Sequence, residues 1–320
     1  MEPIDKKARQ AAVWLGAVLF LASAFAYILF SVPKNFPAGE VVKIEKGRGL
    51  GEVAEFLEEK NIIKSSFFFK AFSFLVLRQA SVKAGDYFFE EPFTMFEVSR
   101  RLTRGIYGIE PVRAVILEGW SNKQAGEYFE KLGLFKKEEW IRAAEGKEGY
   151  LFPDTYFFTP EVEPDTVIKA MSENFDKKVT KGLGEEIAKS GRKLEEIIIM
   201  ASILEKEASS PEDARVISGI LWKRLESEIG LQVDATVSYV VGKPSLELTD
   251  EDLAVDSPFN TYKYRGLPPA PIGNPGLEAI KAAIMPTQTI YWYYLHGSDG
   301  ESHYAITFEE HKKNKELYLR

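Results

Sequence analysis

From Ala11 to Ser31 the chain runs AAVWLGAVLFLASAFAYILFS, 21 residues without a charged side chain. As a helix, at roughly 1.5 Å per residue, that stretch is long enough to cross the roughly 30 Å of a bilayer's hydrocarbon core. A cleaved signal peptide is the competing reading, because Ala22 to Ala26 offers the small residues of a cleavage site. The apolar run continues past it through Tyr27, Ile28, Leu29 and Phe30, beyond the length of a signal core. Lys6, Lys7 and Arg9 precede the span and predict a cytoplasmic N-terminus. The expectation is a cytoplasmic segment 1–10, a single-pass transmembrane helix 11–31, a linker 32–40, and the remaining chain outside the inner (plasma) membrane.

What lies beyond the span is long enough for more than one core, since the whole chain has 320 residues, 45% hydrophobic and 28% charged. A net charge of -7 argues against nucleic acid as a partner, which calls for a basic face. There is no cysteine, and His296, His303 and His311 have no metal-binding spacing, so neither a metal nor a cofactor is expected.

After the Pro/Gly linker, VVKIEK reads as a strand, LGEVAEFLEEK as an amphipathic helix, SSFFFKAFSFLVLR as a second apolar helix and KAGDYFFE as a returning strand. FTMFEVSRRLTRG follows as a helix closed by Gly105. Phe67 to Phe69, Phe72 and Phe74 could form a glycan platform, but core and membrane-proximal packing is the better reading. A weak repeat follows this β-α-α-β unit. EKGRGLGEVAEFLEEKNIIKSSFFFKA from Glu45 aligns without gaps on LEGWSNKQAGEYFEKLGLFKKEEWIRA from Leu117, pairing Gly47 with Gly119, Leu57 with Phe129 and Ile62 with Leu134. Further on, a helix is expected from Pro164 to about Thr180, and Ser210-Pro211-Glu212-Asp213 starts another that turns Val216, Ile217, Ile220, Leu221 and Leu225 inward and stops at Gly230. LQVDATVSYVVG fits strand or helix equally, and DSPFNTYKYRGLPPAPIGNPG is a long loop that its prolines and tyrosines make an ordered one. IYWYYLHG and SHYAITF read as a hairpin before a Lys-rich terminal helix.

The stretch ASILEKEASS, at 201–210, ends an apolar helix in two carboxylates. On a helical wheel Glu207 shares the angle of Met200, Ile203 and Leu204, whereas Glu205 points nearly opposite. An acid in an apolar setting is held neutral and can protonate a leaving oxygen. The plainer reading, favoured by this segment alone, pairs both acids with Lys206, Arg215 or loop backbone. Gln232, Asp234, Asn260, Thr261, Tyr262 and Tyr264 supply the amides, acid and aromatic faces of a carbohydrate cleft; equally, NTYKY packs its own loop with Asn260 in a turn.

GYLFPDTYFF, ASILEKEA, LQVDATVSYV, DSPFNTYKYRGLPPAPIGNPG and HYAITFEEH, in that order, resemble the YceG-like family, the MltG-type endolytic murein transglycosylases of bacteria. The resemblance covers essentially the whole chain. It implies an α+β protein with a transmembrane helix, a LysM-like β-α-α-β module at 41–106 and a mixed α/β catalytic domain at 107–320. The implied activity is that of a peptidoglycan lytic transglycosylase that cuts the MurNAc-GlcNAc bond within nascent glycan strands, leaves 1,6-anhydro-MurNAc ends and terminates elongation. The second Glu of the family's ASIxEKE motif, here Glu207, is implied as the catalytic acid. Glu205, Gln232, Asp234, Thr236, Asn260, Thr261, Tyr262, Tyr264 and the Glu148, Tyr150, Asp154 and Tyr156 of the EGYLFPDTY stretch are implied around the substrate. Ala235 stands where the family's LQxDPTV motif usually has Pro, and Ala270 where Gly is commoner. Implied partners are peptidoglycan strands, the inner membrane, penicillin-binding synthases and the elongation or division machinery. Ordinary glycosidases need two carboxylates, but a substrate whose own C6 hydroxyl attacks needs only one acid that turns base. The rival expectations are a membrane-tethered, non-catalytic wall-binding scaffold and an aminodeoxychorismate lyase; the latter needs pyridoxal phosphate and a cytosolic substrate, which an exported domain does not meet.

Overall fold

The computed structural model describes residues 6–75 and 82–319. The chain divides into two compact units, Met1–Glu110 and Pro111–Arg320, and mixes helices with small sheets.

The first unit begins with α1 (Lys6–Phe30), followed by β1 (Val41–Ile44), α2 (Leu50–Glu59), α3 (Ser66–Leu75), β2 (Gly85–Phe88) and α4 (Met95–Arg104). β1 and β2 pair antiparallel, Val42 opposite Tyr87, and the period of two turns Val42 and Ile44 into the core. Helix α2 starts where Glu52 reaches back to the amide of Gly49 at 2.9 Å, and it buries Val53, Ala54 and Leu57 along one stripe. Helix α4 is capped by Thr94 with Glu97 and closes, as its Gly105 predicts, in a left-handed residue at φ 71°. The phenylalanines of α3 divide: Phe69 and Phe72 are core, while Phe67 and Phe74 are 68% and 64% exposed. The end of the expected second helix, 76–78, lies outside the described residues.

Val13, Trp14, Leu15, Val18 and Leu19 of α1 all face outward, and its last turns rest on the module, with the Phe25 ring 5.6 Å from Phe68 and Phe30 6.0 Å from Phe96. Among the described residues no helix is long and apolar enough to cross a membrane. The side chains of Ala11 and Leu29, inside the expected span, lie outside the described residues.

The second unit opens on another β-α-α-β motif: β3 (Val112–Val115), α5 (Asn122–Lys131), α6 (Lys137–Ala143) and β4 (Thr155–Phe158), with β3 antiparallel to β4. The gapless sequence repeat carries both ends of α2 onto both ends of α5. The matched pairs Leu57 with Phe129 and Ile62 with Leu134 are buried in both copies. Helix α7 (Pro164–Phe175) runs into a π-helical turn, Asp176–Thr180, and α8 (Gly184–Ser190) leads to α9 (Leu194–Glu207). Every residue from Ile197 to Leu204 is buried, so α9 is apolar all round and becomes the central helix, with α10 (Pro211–Glu226) and a later helix packed on it. Ser210 caps α10 through the amide of Asp213. Ile217, Ile220 and Leu221 are buried as expected and Val216 and Leu225 partly so, but the helix ends at Glu226, before Gly230.

The ambiguous LQVDATVSYVVG is helix α11 (Asp234–Val241), with an acid at its positive end and Gly242 at φ 73° as its stop. After the short α12 (Asp250–Leu253) comes the ordered loop to Gly276, then α13 (Leu277–Ile284), the helix that joins α10 on α9. The hairpin β5 (Tyr293–His296) and β6 (Ser302–Ala305) places Tyr294 opposite Tyr304, and α14 (Phe308–Tyr318) ends the chain.

Candidate active site

Glu207 is the last residue of α9 and retains a partial opening to solvent. Three elements converge on its carboxyl. Tyr294 of β5 donates its hydroxyl to Oε2 at 2.9 Å, the backbone amide of Ala235 at the start of α11 also donates to it, and the Asp213 carboxylate of α10 lies near. Loss of hydration is the largest influence and pushes the carboxyl up to about 7; Tyr294 and the Ala235 amide oppose that, while the charges of Asp234 and Asp213 add to it. The negative end of the α9 dipole acts in the same sense as burial. The group is thus a carboxylic acid about half protonated at pH 7, on a residue that is only partly covered.

Around it the cleft is polar and aromatic. The Tyr262 hydroxyl donates to Asp234 Oδ1 at 2.5 Å. Arg224, 6% exposed, donates to Gln232 Oε1 at 2.7 Å, and its charge faces the hydroxyls of Tyr294, Tyr293 and Tyr262. Gln232 is exposed and held at φ 54°, a left-handed conformation costly for a residue with a side chain. Its backbone N–H bonds the Thr261 carbonyl at 3.2 Å, which aims the side chain at Arg224.

Of the expected site residues, Asp234 and Tyr262 lie beside Glu207, and Gln232 is joined to the tyrosines through Arg224. Thr236, Asn260 and Thr261 do something else: all three are buried, so they are sealed from a substrate and build the loop instead. Asn260 donates to the carbonyls of Leu253 and Val255 and accepts the Tyr262 amide at 3.0 Å, the turn that the loop-packing reading foresees. Thr261 accepts the Val233 amide at 2.9 Å and shares a 3.1 Å bond with the Thr236 hydroxyl, tying loop to helix. Tyr264 is exposed and spends its hydroxyl on Asp256 at 2.8 Å.

Glu205 faces away from Glu207, as the wheel predicts, and accepts the Gly276 amide at 2.8 Å, the loop-backbone partner of the plainer reading. Burial, and then the nearby charge of Glu118, raise its carboxyl above the usual range. Glu148 accepts the Asn122 amide at 2.9 Å and the Tyr239 hydroxyl at 3.4 Å, and burial takes it up to about 7. Tyr150 packs edge-on against Phe175 at 5.3 Å in the core. Asp154 is held below the usual carboxylate range chiefly by Lys178, 2.8 Å away, and Tyr156 donates to the Phe152 carbonyl at 2.7 Å. Asp154 and Lys178 line a separate groove of about 420 Å³ with Glu118 and Leu277, and none of Glu207's partners reaches that groove.

Tyr294, Arg224, Asp213 and Asn274 escape the sequence reading. Tyr294 and Tyr304, cross-strand neighbours, lean from one hairpin face onto Glu207 and Asp213 respectively, a signal present in the alternation of IYWYYLHG. Asn274 is 1% exposed and clamps three segments: Oδ1 accepts the amides of Gly149 and Leu151, while Nδ2 donates to Trp120, Asn122 and Glu148.

The family model described as "YceG-like family" matches residues 42–317. This chain belongs to the YceG-like family. An endolytic murein transglycosylase of Bacillus subtilis is 29% identical over 94% of this chain and 91% of its own length. One from Streptococcus pneumoniae is 26% identical over 91% of this chain, which spans 61% of that longer protein. A crystal structure of a yceG-like protein from Listeria monocytogenes, 26% identical, superimposes with a TM-score of 0.59 over 86% of this chain and 98% of its own. The family fold thus extends over both β-α-α-β motifs and the cleft at the end of α9.

Proposed function

We propose that this chain is an endolytic peptidoglycan lytic transglycosylase, with Glu207 as the acid that becomes the base. The observation that carries this reading is a carboxyl raised to about 7 at the mouth of a tyrosine-lined cleft, with an ionisable partner, Asp234, beside it. The protonated Glu207 gives its proton to the glycosidic oxygen between MurNAc and GlcNAc as the C1–O bond breaks. The C6 hydroxyl oxygen of the same MurNAc then bonds to C1, and its proton returns to Glu207. One bond breaks, one forms, no water is consumed, and the new end is a 1,6-anhydro sugar. Gln232 and Tyr262 supply an amide and an aromatic face to the sugar, and Thr236, Asn260 and Thr261 hold them in place.

The same reading makes α1 a single-pass anchor at the inner membrane, supported by 21 uncharged residues and a helix whose apolar side chains face outward. The β-α-α-β module then stands at the membrane surface, where the exposed Phe67 and Phe74 find an apolar neighbour. Its LysM-like role is glycan binding close to where strands emerge, so cleavage ends elongation beside the synthases.

Digestion of purified glycan strands by the full-length chain, with mass analysis of the new ends, tests the reading. Anhydro ends that vanish in Glu207→Gln support it. Water-terminated ends make the protein a hydrolase, and binding without any cleavage makes it the scaffold; either result overturns the proposal.

A further inference from the structure

Two carboxyls of this cleft occupy opposite helix ends. Glu207 closes the apolar helix α9, where the carbonyl end of the dipole opposes a negative charge. Asp234 opens α11, where free amides favour one, and the Tyr262 hydroxyl donates to its Oδ1 at 2.5 Å. The two are held close by chain adjacency, because the amide of Ala235, the residue after Asp234, donates to Glu207. The buried Arg224 donates a guanidinium N–H to Gln232 and, among the described residues, forms no ion pair with Asp234. We propose that the Asp234 carboxylate, held in place by the Tyr262 hydroxyl, stabilises the positive charge that develops at the anomeric carbon as the glycosidic bond breaks.

The inference rests on the transglycosylase reading and deepens it. Once Glu207 has delivered its proton and the C1–O bond lengthens, C1 and its ring oxygen carry positive charge until the C6 oxygen arrives. Glu207 gains its own negative charge only as its proton leaves. A second carboxylate fixed beforehand stabilises it without acting as nucleophile or as base for water, so the products remain anhydro-ended. The groups that face Glu207 are Tyr294 from β5, the Ala235 amide and Asp234 from α11, Asp213 from α10 and Tyr262 from the loop. Of the two other acids among them, Asp213 is already taken up by the amide and hydroxyl of Ser209 and by the Tyr304 hydroxyl. Asp234 is partly exposed and takes one side-chain hydrogen bond, from the Tyr262 hydroxyl.

The test is steady-state cleavage of glycan strands by the full-length chain across pH, comparing Asp234→Asn, Asp234→Glu and Tyr262→Phe. In Asp234→Asn, kcat should fall about 100-fold with KM nearly unchanged, the size of an electrostatic loss confined to the transition state. Its alkaline limb should also move to lower pH, by about one unit, because a like charge that favours protonated Glu207 is gone. Asp234→Glu, which keeps the charge, should retain more activity than Asp234→Asn and an alkaline limb near that of the parent; Tyr262→Phe should lose kcat without the downward shift. An Asp234→Asn chain within threefold of the parent kcat overturns the proposal. So does an Asp234→Glu chain that folds like the parent and is as inactive as Asp234→Asn. If the unaltered chain yields no anhydro ends, the transglycosylase reading fails instead, and the two failures are told apart by that control.

Discussion

Replacing Glu207 by Gln should abolish cleavage and at the same time stabilise the fold, by an amount that grows as pH rises from about 5 to about 7 and levels off above that. The carboxyl is raised from 4.5 to about 7, mainly by lost hydration. A folded state that binds a proton more tightly than the unfolded chain is fully favoured below the unfolded value and loses stability as pH rises from there through the folded value. At about 1.4 kcal/mol per unit, the cost carried by the parent levels off near ~3 kcal/mol at pH 8 and is under ~1 kcal/mol at pH 5. Glutamine keeps an oxygen for Tyr294 and the Ala235 amide but has no charge to desolvate. For a unit of this size ~1 kcal/mol moves the midpoint by roughly 2–4 °C, so Glu207→Gln should melt roughly 6–12 °C above the parent at pH 8 and within a few degrees of it at pH 5. Thermal unfolding of the detergent-solubilised full-length chain at both pH values is the assay. An equal difference at the two pH values would refute the argument that burial holds this acid neutral.

Ala235→Pro removes an amide that donates to Glu207, while Pro is tolerated in a first helical turn; the alkaline limb of kcat should move to higher pH with the fold retained. Asn274→Ala strips the buried Gly149 and Leu151 amides of their acceptor and should destabilise the second unit by at least ~3 kcal/mol, read by denaturant unfolding. A Cβ at Gly219 would lie 2.0 Å from the Thr287 carbonyl oxygen, so Gly219→Ala should force α10 away from that segment and lower the melting temperature. The full-length chain should remain with membranes after alkaline extraction, and removal of residues 1–31 should release it with glycan cleavage intact.

Local rules carried the element reading far. Capping boxes, left-handed glycines and period-two alternation are written within a few residues, so α4 ends at Gly105 and β1 turns Val42 inward as the chain alone predicts. The gapless repeat could be read too, because Leu57 with Phe129 and Ile62 with Leu134 fill the same core positions of two β-α-α-β motifs. What escaped is what long-range pairing decides. LQVDATVSYVVG has no helical stripe, and it becomes a helix because Thr261 ties Val233 and Thr236 to a loop 25 or more residues away. Asn274, in a proline-rich loop, looks like a turn residue until its amide is seen to join segments more than 120 residues apart.

The same distinction governs the cleft. A helical wheel separates Glu205 from Glu207 correctly, but it assigns both only a direction, and the chemistry of each depends on what the rest of the chain brings to it. Glu205 receives a backbone amide at the start of α13 and serves as a tether between α9 and the loop. Glu207 receives a phenol from a hairpin 87 residues later and an amide from the first turn of α11, both of which favour its charged form, while lost hydration outweighs them and pushes the carboxyl up to about 7. On the proposed mechanism Glu207 owes its fitness as an acid to the apolar helix behind it, which raises its carboxyl against the pull of the Tyr294 phenol, rather than to its place in the EKE motif.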